Sequence, residues 1–395
     1  MHPHLNQRQT KSLLDDEPTC RKLAFNKRKN EEQDHTKAID EAAPRFRFED
    51  CRDTCWNPEH FSLLAGTPLW EQASLAQRIT LNQLYWVAYF NQIISAEIAT
   101  IFFNQIAAAG MYSLEDFRLI CDTLDFESKQ ERAHINAFKT ISEAVEWDLF
   151  GERLFTYPMR GPFAETMLFS ANNAPQRFWR NLQIKAYSLL SAGNAFLASQ
   201  YLLIRGLRTL NGKLIQHHLS QHYRDHPDPE QAPIPSAVSY YHFMDESHHF
   251  NTSRLVALEI AKSLDPPSAF EKWVVNRGVR GCQQDHFHFS VTVNGIFWHE
   301  PALFPVIYRL LRSRVFGMER REALDMMQRC YCEENEGQHR SCQLHQTAVQ
   351  SYRAFVEPIG FLNQDNRDMS LMAGNNIQRY LRENRRAMRV FSPDA

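Results

Sequence analysis

Three residues in Tyr241-His242-Phe243-Met244-Asp245-Glu246-Ser247-His248-His249 carry the clearest chemistry in this chain, because His242, Glu246 and His249 stand at i, i+4 and i+7. On a helix those side chains share one face. Two imidazoles flanking a carboxylate are the donors that a borderline transition metal such as iron or manganese accepts. Glu131 and His134 repeat the Glu-x-x-His half of the pattern, and Glu97 lies upstream within Ile93-Ile94-Ser95-Ala96-Glu97-Ile98-Ala99. A helix that turns Ile94, Ile98 and Ile101 to a core draws the Glu97 carboxylate inward. Burying that charge alone is costly, so it calls for a metal, a buried Lys or Arg beside it, or a snorkelling exit to water. Glu131 and His134 taken alone read more readily as a solvated surface pair than as a metal site. With Glu97 34 residues earlier and the second Glu-x-x-His later, the set reads as a carboxylate-bridged dimetal site.

Four helices must position these donors. The first is predicted over Thr80 to Ala109, closed by Gly110, and the second from Ser113 or Ser128 through Trp147. Ser128-Lys129-Gln130-Glu131 also reads as a capping box, which would make Glu131 a local cap. Residues 176 to 222 supply a third helical stretch, in which Gly193 and Gly206 weaken continuity. The prolines between Asp225 and Pro235 cannot continue a helix. A fourth helix then starts at Ser236 to Ser239 and ends near Leu264-Asp265-Pro266-Pro267. Residues 269 to 295, 301 to 314, 319 to 355 and 375 to 391 read as further helices and turns. The expected class is all-α, a ferritin-like four-helix bundle core with additional C-terminal helices. Residues 1–50, polar and poor in aromatics, read as a disordered tail. Residues 51–395 read as one helical domain, with the metal-binding core over about 80–264 and a C-terminal extension over about 265–395.

Composition narrows the class of partner. Of 395 residues 43% are apolar, and the net charge of -2 gives no electrostatic reason to expect nucleic acid or an anionic membrane. Fourteen glycines are few for this length, which favours helices over sandwiches or barrels. The eight cysteines are scattered and no apolar leader is evident, so reduced thiols and a cytoplasmic location are the expectation. The most apolar helix is interrupted by Asn91, Gln92, Glu97 and Asn104, which argues against a membrane span.

The third imidazole in His242-x-x-x-Glu246-x-x-His249 makes the pattern resemble the p-aminobenzoate (arylamine) N-oxygenases, a family of non-haem di-iron oxygenases. The resemblance covers the four core helices, about residues 80 to 264. It implies a ferritin-like fold whose di-iron centre activates dioxygen and oxidises amines. Carried over residue by residue, Glu97 is the first-helix carboxylate, Glu131 and His134 the second-helix pair, and His242, Glu246 and His249 the fourth-helix trio. The family pattern also calls for a third-helix glutamate. This chain has no Asp or Glu between Glu165 and Asp225. Asn194 is the candidate for that position and Gln200 the alternative. An amide oxygen can coordinate but bridges poorly, so one ion instead of two, or a mixed Mn/Fe pair, is also compatible.

The expected function is therefore a di-iron oxygenase that oxidises an amine on an aromatic or other hydrophobic substrate. Hydroxylation or desaturation of C–H bonds is the first alternative. A degenerate bundle with one metal or none, acting through protein contacts, is the second. Partners under this reading are a small-molecule amine or hydrophobic substrate, dioxygen, an electron donor and, left open, a second copy in a homodimer. Phe90, Ile94, Ile101, Phe196 and Tyr201 would offer an apolar lining. Asp245 and His248 point about 100° away from the ligand face and read as supporting or surface groups. Asp285-His286-Phe287-His288 and Trp298-His299-Glu300 read as pocket lining or as capped helix ends. Cys330-x-Cys332 with His339, Cys342 and His345 lacks the spacing of a zinc site. Glu336-x-x-His339 reads as part of a solvated acidic face.

Overall fold

A computed structural model describes residues 16–112, 114, 117–155, 174–294, 303–374 and 376–393, with side chains 174, 176–177, 211 and 285–294 left out. The two polar-aromatic clusters at 285–288 and 298–300 thus lie outside the described side chains. Among the described residues every regular element is helical. In chain order these are α1 (Glu17–Glu32), α2 (Thr36–Ala42), α3 (Pro68–Gln72), α4 (Leu75–Met111), α5 (Arg118–Phe150), α6 (Ala174–Ala192), α7 (Ala195–Arg224) and α8 (Ile234–Arg254). There follow α9 (Ala269–Asn294), α10 (Phe304–Arg312), α11 (Arg320–Cys332), α12 (Glu336–Val356), α13 (Gln364–Arg367), α14 (Ser370–Ala373) and α15 (Ile377–Val390).

The four helices α4, α5, α7 and α8 pack on one another and form the bundle core. Local chemistry sets their ends. Ser74 and Gln77 form a reciprocal capping box that starts α4 five residues before the predicted Thr80. Gly151, at φ 68°, supplies the left-handed residue that stops α5. Ser128 does not start a helix: it lies within α5, and its hydroxyl donates back to the Leu124 carbonyl. The third helical stretch is split, because Asn194 leaves the helix, and its Oδ1 accepts from the Leu197 amide as the N-cap of α7.

Two apolar clusters fill the core. One gathers Leu84, Trp86, Phe90 and Ile94 of α4 with Phe138 and Ile141 of α5 and Val238 of α8. The other gathers Ala99, Phe103 and Ala107 of α4 with Leu124 of α5 and Tyr201, Leu202 and Leu207 of α7. Glu97 lies on α4 between the two. By length and composition α4 is the one candidate membrane span among the described residues. Its buried Asn82, Gln83 and Asn104 are each hydrogen-bonded to other parts of the protein, which is how a bundle's central helix is held.

The tail expected over residues 1–50 is corrected from residue 17 onward. α1 is polar overall, yet Leu23, Asn26 and Asn30 form a narrow buried stripe, and Lys27–Glu31 and Lys29–Glu32 pairs cover its outer face. Composition misleads here because the buried stripe is itself partly amide. Asn26 donates to the His248 carbonyl and to the Thr252 hydroxyl, which fastens α1 to α8.

Candidate metal centre

Six of the residues singled out by spacing converge. Glu97 on α4, Glu131 and His134 on α5, and His242, Glu246 and His249 on α8 are all buried and face one another across the bundle. The donor atoms of Glu97, His134, His242 and Glu246 lie within 4.8 Å of one another, and so do those of Glu131, Glu246 and His249. Glu246 belongs to both groups. The arrangement thus offers two adjacent positions for a metal ion, with one carboxylate placed to serve each.

The individual contacts show what the cluster requires. His242 Nε2 is 2.8 Å from Glu97 Oε1, and His249 Nδ1 lies 2.9 Å from Glu246 Oε1 and 3.1 Å from Glu131 Oε1. His134 Nδ1 is 3.4 Å from Glu131 Oε2 and 3.7 Å from Glu97 Oε1. Both Glu97 oxygens, Glu131 Oε1 and both His242 ring nitrogens are buried without a well-formed hydrogen bond. So many orphaned donor atoms in one place are expensive unless a cation binds them. On that ground the residues fit a pair of metal ions.

Without a cation, the acid–base states of the cluster diverge. Burial, reinforced by Glu131 and Glu246, raises the Glu97 pKa well above the usual carboxylate value. Burial would also raise Glu131, but the imidazoles of His249 and His134 outweigh it and hold this acid at about 2. His134 feels a burial penalty that Asp245 and Glu131 overcome, leaving it at about 9. His249 is likewise pushed up, against its burial, by Glu246 and Glu131. His242 goes the other way, to about 3, through burial and then the neighbouring His134.

Asp245 is a supporting group, as its angle on the helix implied. Its Oδ2 lies 3.1 Å from His134 Nε2, so the ring's Nδ1 is left facing the carboxylates. Gln130 does the same for His249, with Oε1 2.9 Å from Nε2. Behind them, Asp245 takes the His35 amide and Gln130 Nε2 donates to Asn30 Oδ1. The N-terminal segment therefore braces the site. His242 is braced differently, by edge contacts with Phe90 and Phe138.

Sequence reasoning missed Gln130, Asn30, His35 and the buried pair Arg205–Glu127, whose Nη1 and Oε2 are 2.7 Å apart. A lone arginine in Leu202-Leu203-Ile204-Arg205-Gly206-Leu207 was the available signal for the last of these. The expected third-helix ligand is corrected. Asn194 caps α7 and donates to Glu271 Oε1, and Gln200 donates to the Ala257 carbonyl. Neither belongs to the cluster. The α7 residues that face it are Arg205, Arg208, Thr209, Gly212 and Gln216, which line a small cavity with Glu97, His242 and Glu246. The error was one of register along a helix without an acidic marker.

Elsewhere, His339 pairs with Glu334 at the surface, and His345 Nε2 contacts the Met372 carbonyl. Cys330 and Cys332 are buried and belong to no metal-competent group among the described residues. A buried carboxylate–imidazole cluster in an all-α bundle defines a helical scaffold able to hold metal ions. Over residues 18–392 the chain matches the family described as acyl halogenase CylC-like, and it belongs to that family. No curated protein and no solved structure matches it.

Proposed function

We propose that this protein is a dimetal, dioxygen-dependent enzyme that halogenates a C–H bond of an acyl chain. Membership of the acyl halogenase CylC-like family supports the substrate class and the reaction type. The observation that carries the reading to this chain is the α7 wall. Where a fourth carboxylate was expected, Thr209 and Gly212 leave a cavity of about 40 Å³ against Glu97, His242 and Glu246, with Arg205 and Arg208 beside it. Arg205 is already paired with Glu127, so a missing anionic ligand together with the Arg208 guanidinium at the cavity wall is what suits a small external anion such as chloride.

Glu97, His134 and His242 would hold one ion and Glu131 and His249 the other, with Glu246 between them. Bound there in reduced form, two iron ions, or a manganese–iron pair, would supply the reduction of dioxygen and the power to oxidise a C–H bond. The chain's own contribution is placement. Asp245 and Gln130 fix two imidazole rings, Phe90 and Phe138 fix the third, and the apolar clusters on either side keep bulk water out. An electron donor is required, and the site offers no nucleophile.

Oxygenation of an amine or of a C–H bond without halide is the second reading. It is favoured by the donor set itself, which resembles that of the arylamine N-oxygenases. The two separate in one experiment: protein reconstituted with iron is given reductant, oxygen and chloride with either a dodecanoyl thioester or an arylamine, and products are read by mass spectrometry. A chlorinated acyl product, shifting to the brominated one in bromide, is expected. An oxygenated amine alone would favour the second reading. Less than one metal per chain under saturating iron, unchanged by His242→Ala, would sink both.

A further inference from the structure

A larger cavity lies next to the metal centre and has no role in the chemistry above. It opens between α4, α6, α7 and α9 and holds about 160 Å³. Phe103, Ile184, Leu190, Ile204, Trp273 and Val274 are among the apolar residues of its wall. An apolar space of roughly 150 Å³ is enough to take up a six-carbon ring. Phe103 and Arg208 line both this cavity and the small one at Glu97, so these two side chains form the partition between them.

Its polar lining comprises Arg180, Gln183, Tyr187, Tyr201, Arg208 and Arg277. Arg180 of α6 and Arg277 of α9 contribute guanidinium groups, and Arg277 is exposed. Tyr187 also lines the wall, and its hydroxyl is buried with no hydrogen-bond partner. Such a phenol is costly unless an acceptor reaches it. The carbonyl of an acyl group is an acceptor of the right kind, and the rest of that ligand is hydrocarbon.

We propose that this cavity binds the acyl chain of the substrate, with the carbonyl taking the Tyr187 hydroxyl and the hydrocarbon running towards Phe103. The inference rests on the acyl halogenase reading for its substrate class. Phe103 is then a positioning residue: the carbon that passes it is the one presented to the metal centre, and its size sets which carbon that is.

Binding is tested without chemistry, on the metal-free full chain, by calorimetric titration with dodecanoate and with a dodecanoyl thioester. One site per chain is expected. Ile184→Trp, which fills the cavity, should weaken binding at least tenfold, and Tyr187→Phe should weaken the thioester severalfold. Absence of saturable binding, or binding unchanged in a correctly folded Ile184→Trp protein, overturns the proposal. A variant-free arm uses a C12 fatty acid carrying a diazirine near its methyl end: crosslinks mapped to α4 and α7 around Phe103 support the site, and crosslinks confined to helices that do not line the cavity overturn it. Binding of an arylamine but not of either acyl ligand also overturns it. Chain binding without halogenation after reconstitution would retire the enzymatic reading alone. Halogenation unaffected by Ile184→Trp would retire the cavity alone.

Discussion

The three imidazoles of the centre are chemically unequal, and the inequality is set by what stands behind each ring. His134 leans on Asp245 and His249 on Gln130, whereas both nitrogens of His242 lack a well-formed partner. Asp245→Asn keeps the shape but removes the charge behind His134. Orienting groups of this kind contribute roughly 10- to 100-fold in metal affinity. Iron titration of Asp245→Asn should show one of two ions weakened by that factor, and two unaltered affinities would contradict the assignment. Proton balance gives a second outcome. His134 stands at about 9 in the metal-free protein, so below that pH both of its ring nitrogens carry protons, and coordination through Nδ1 must displace one of them. Its folded pKa lies above the free value of 6.5, so protonation stabilises the metal-free fold fully below 6.5 and that stabilisation fades as pH rises through 9. Metal affinity should therefore rise between those limits, with acid released on binding to weakly buffered protein. An affinity flat across that window would argue that His134 is not a ligand. Arg205→Met leaves a buried carboxylate unpaired and should destabilise by about 3–5 kcal/mol, while adding Glu127→Leu should recover much of that loss in urea unfolding.

Among the elements, α1 and the α4–α7 crossing do the most to hold the site in register. α1 reaches the centre through Asn30 and Gln130, and the turn after it through His35 and Asp245. Where α4 ends, Gly110 is so close to its neighbours that a Cβ would stand 2.4 Å from the Ser191 carbonyl and 2.7 Å from Ala198 Cβ. The first of those is backbone and cannot yield cheaply. Gly110→Ala should cost about 1–3 kcal/mol in thermal or urea unfolding, and a neutral result would mean that α6 can move away from α4. The all-α class and the six convergent donors were legible in sequence because the 3.6-residue repeat fixes which side chains share a face. What was not legible depended on contacts between distant segments. His35 pairs with a residue 210 positions away, and no periodicity encodes that. The register of α7 was misread because it has no carboxylate to count from, and its meaningful residue is a glycine. α1 was misread because its buried face carries Asn26 and Asn30, which composition scores as solvent-loving.

For the molecule as a whole, the centre is a polar seam between two apolar clusters, so its electrostatic state bears directly on stability. In the metal-free protein Glu97 is buried, faces Glu131 and Glu246, and has its pKa raised well above 4.5. A carboxyl raised on folding weakens the fold at every pH above its unfolded value, so at neutral pH Glu97 opposes folding until a cation arrives. Metal ions held by the cluster would supply that cation and add stability by mass action, about 2.7 kcal/mol per site at a hundredfold excess over the dissociation constant. The two contributions separate in Glu97→Gln. Without metal this variant should melt a few degrees above the wild type, because an uncharged amide replaces the acid. With iron present the order should reverse, since the wild type gains the full increment and the variant gains little. Paired melting curves with chelator and with ferrous iron under argon read both halves at once. A Glu97→Gln protein less stable than wild type in chelator, yet still raised equally by iron, would mean that Glu97 is an ordinary buried acid and that the ions, if bound, sit elsewhere.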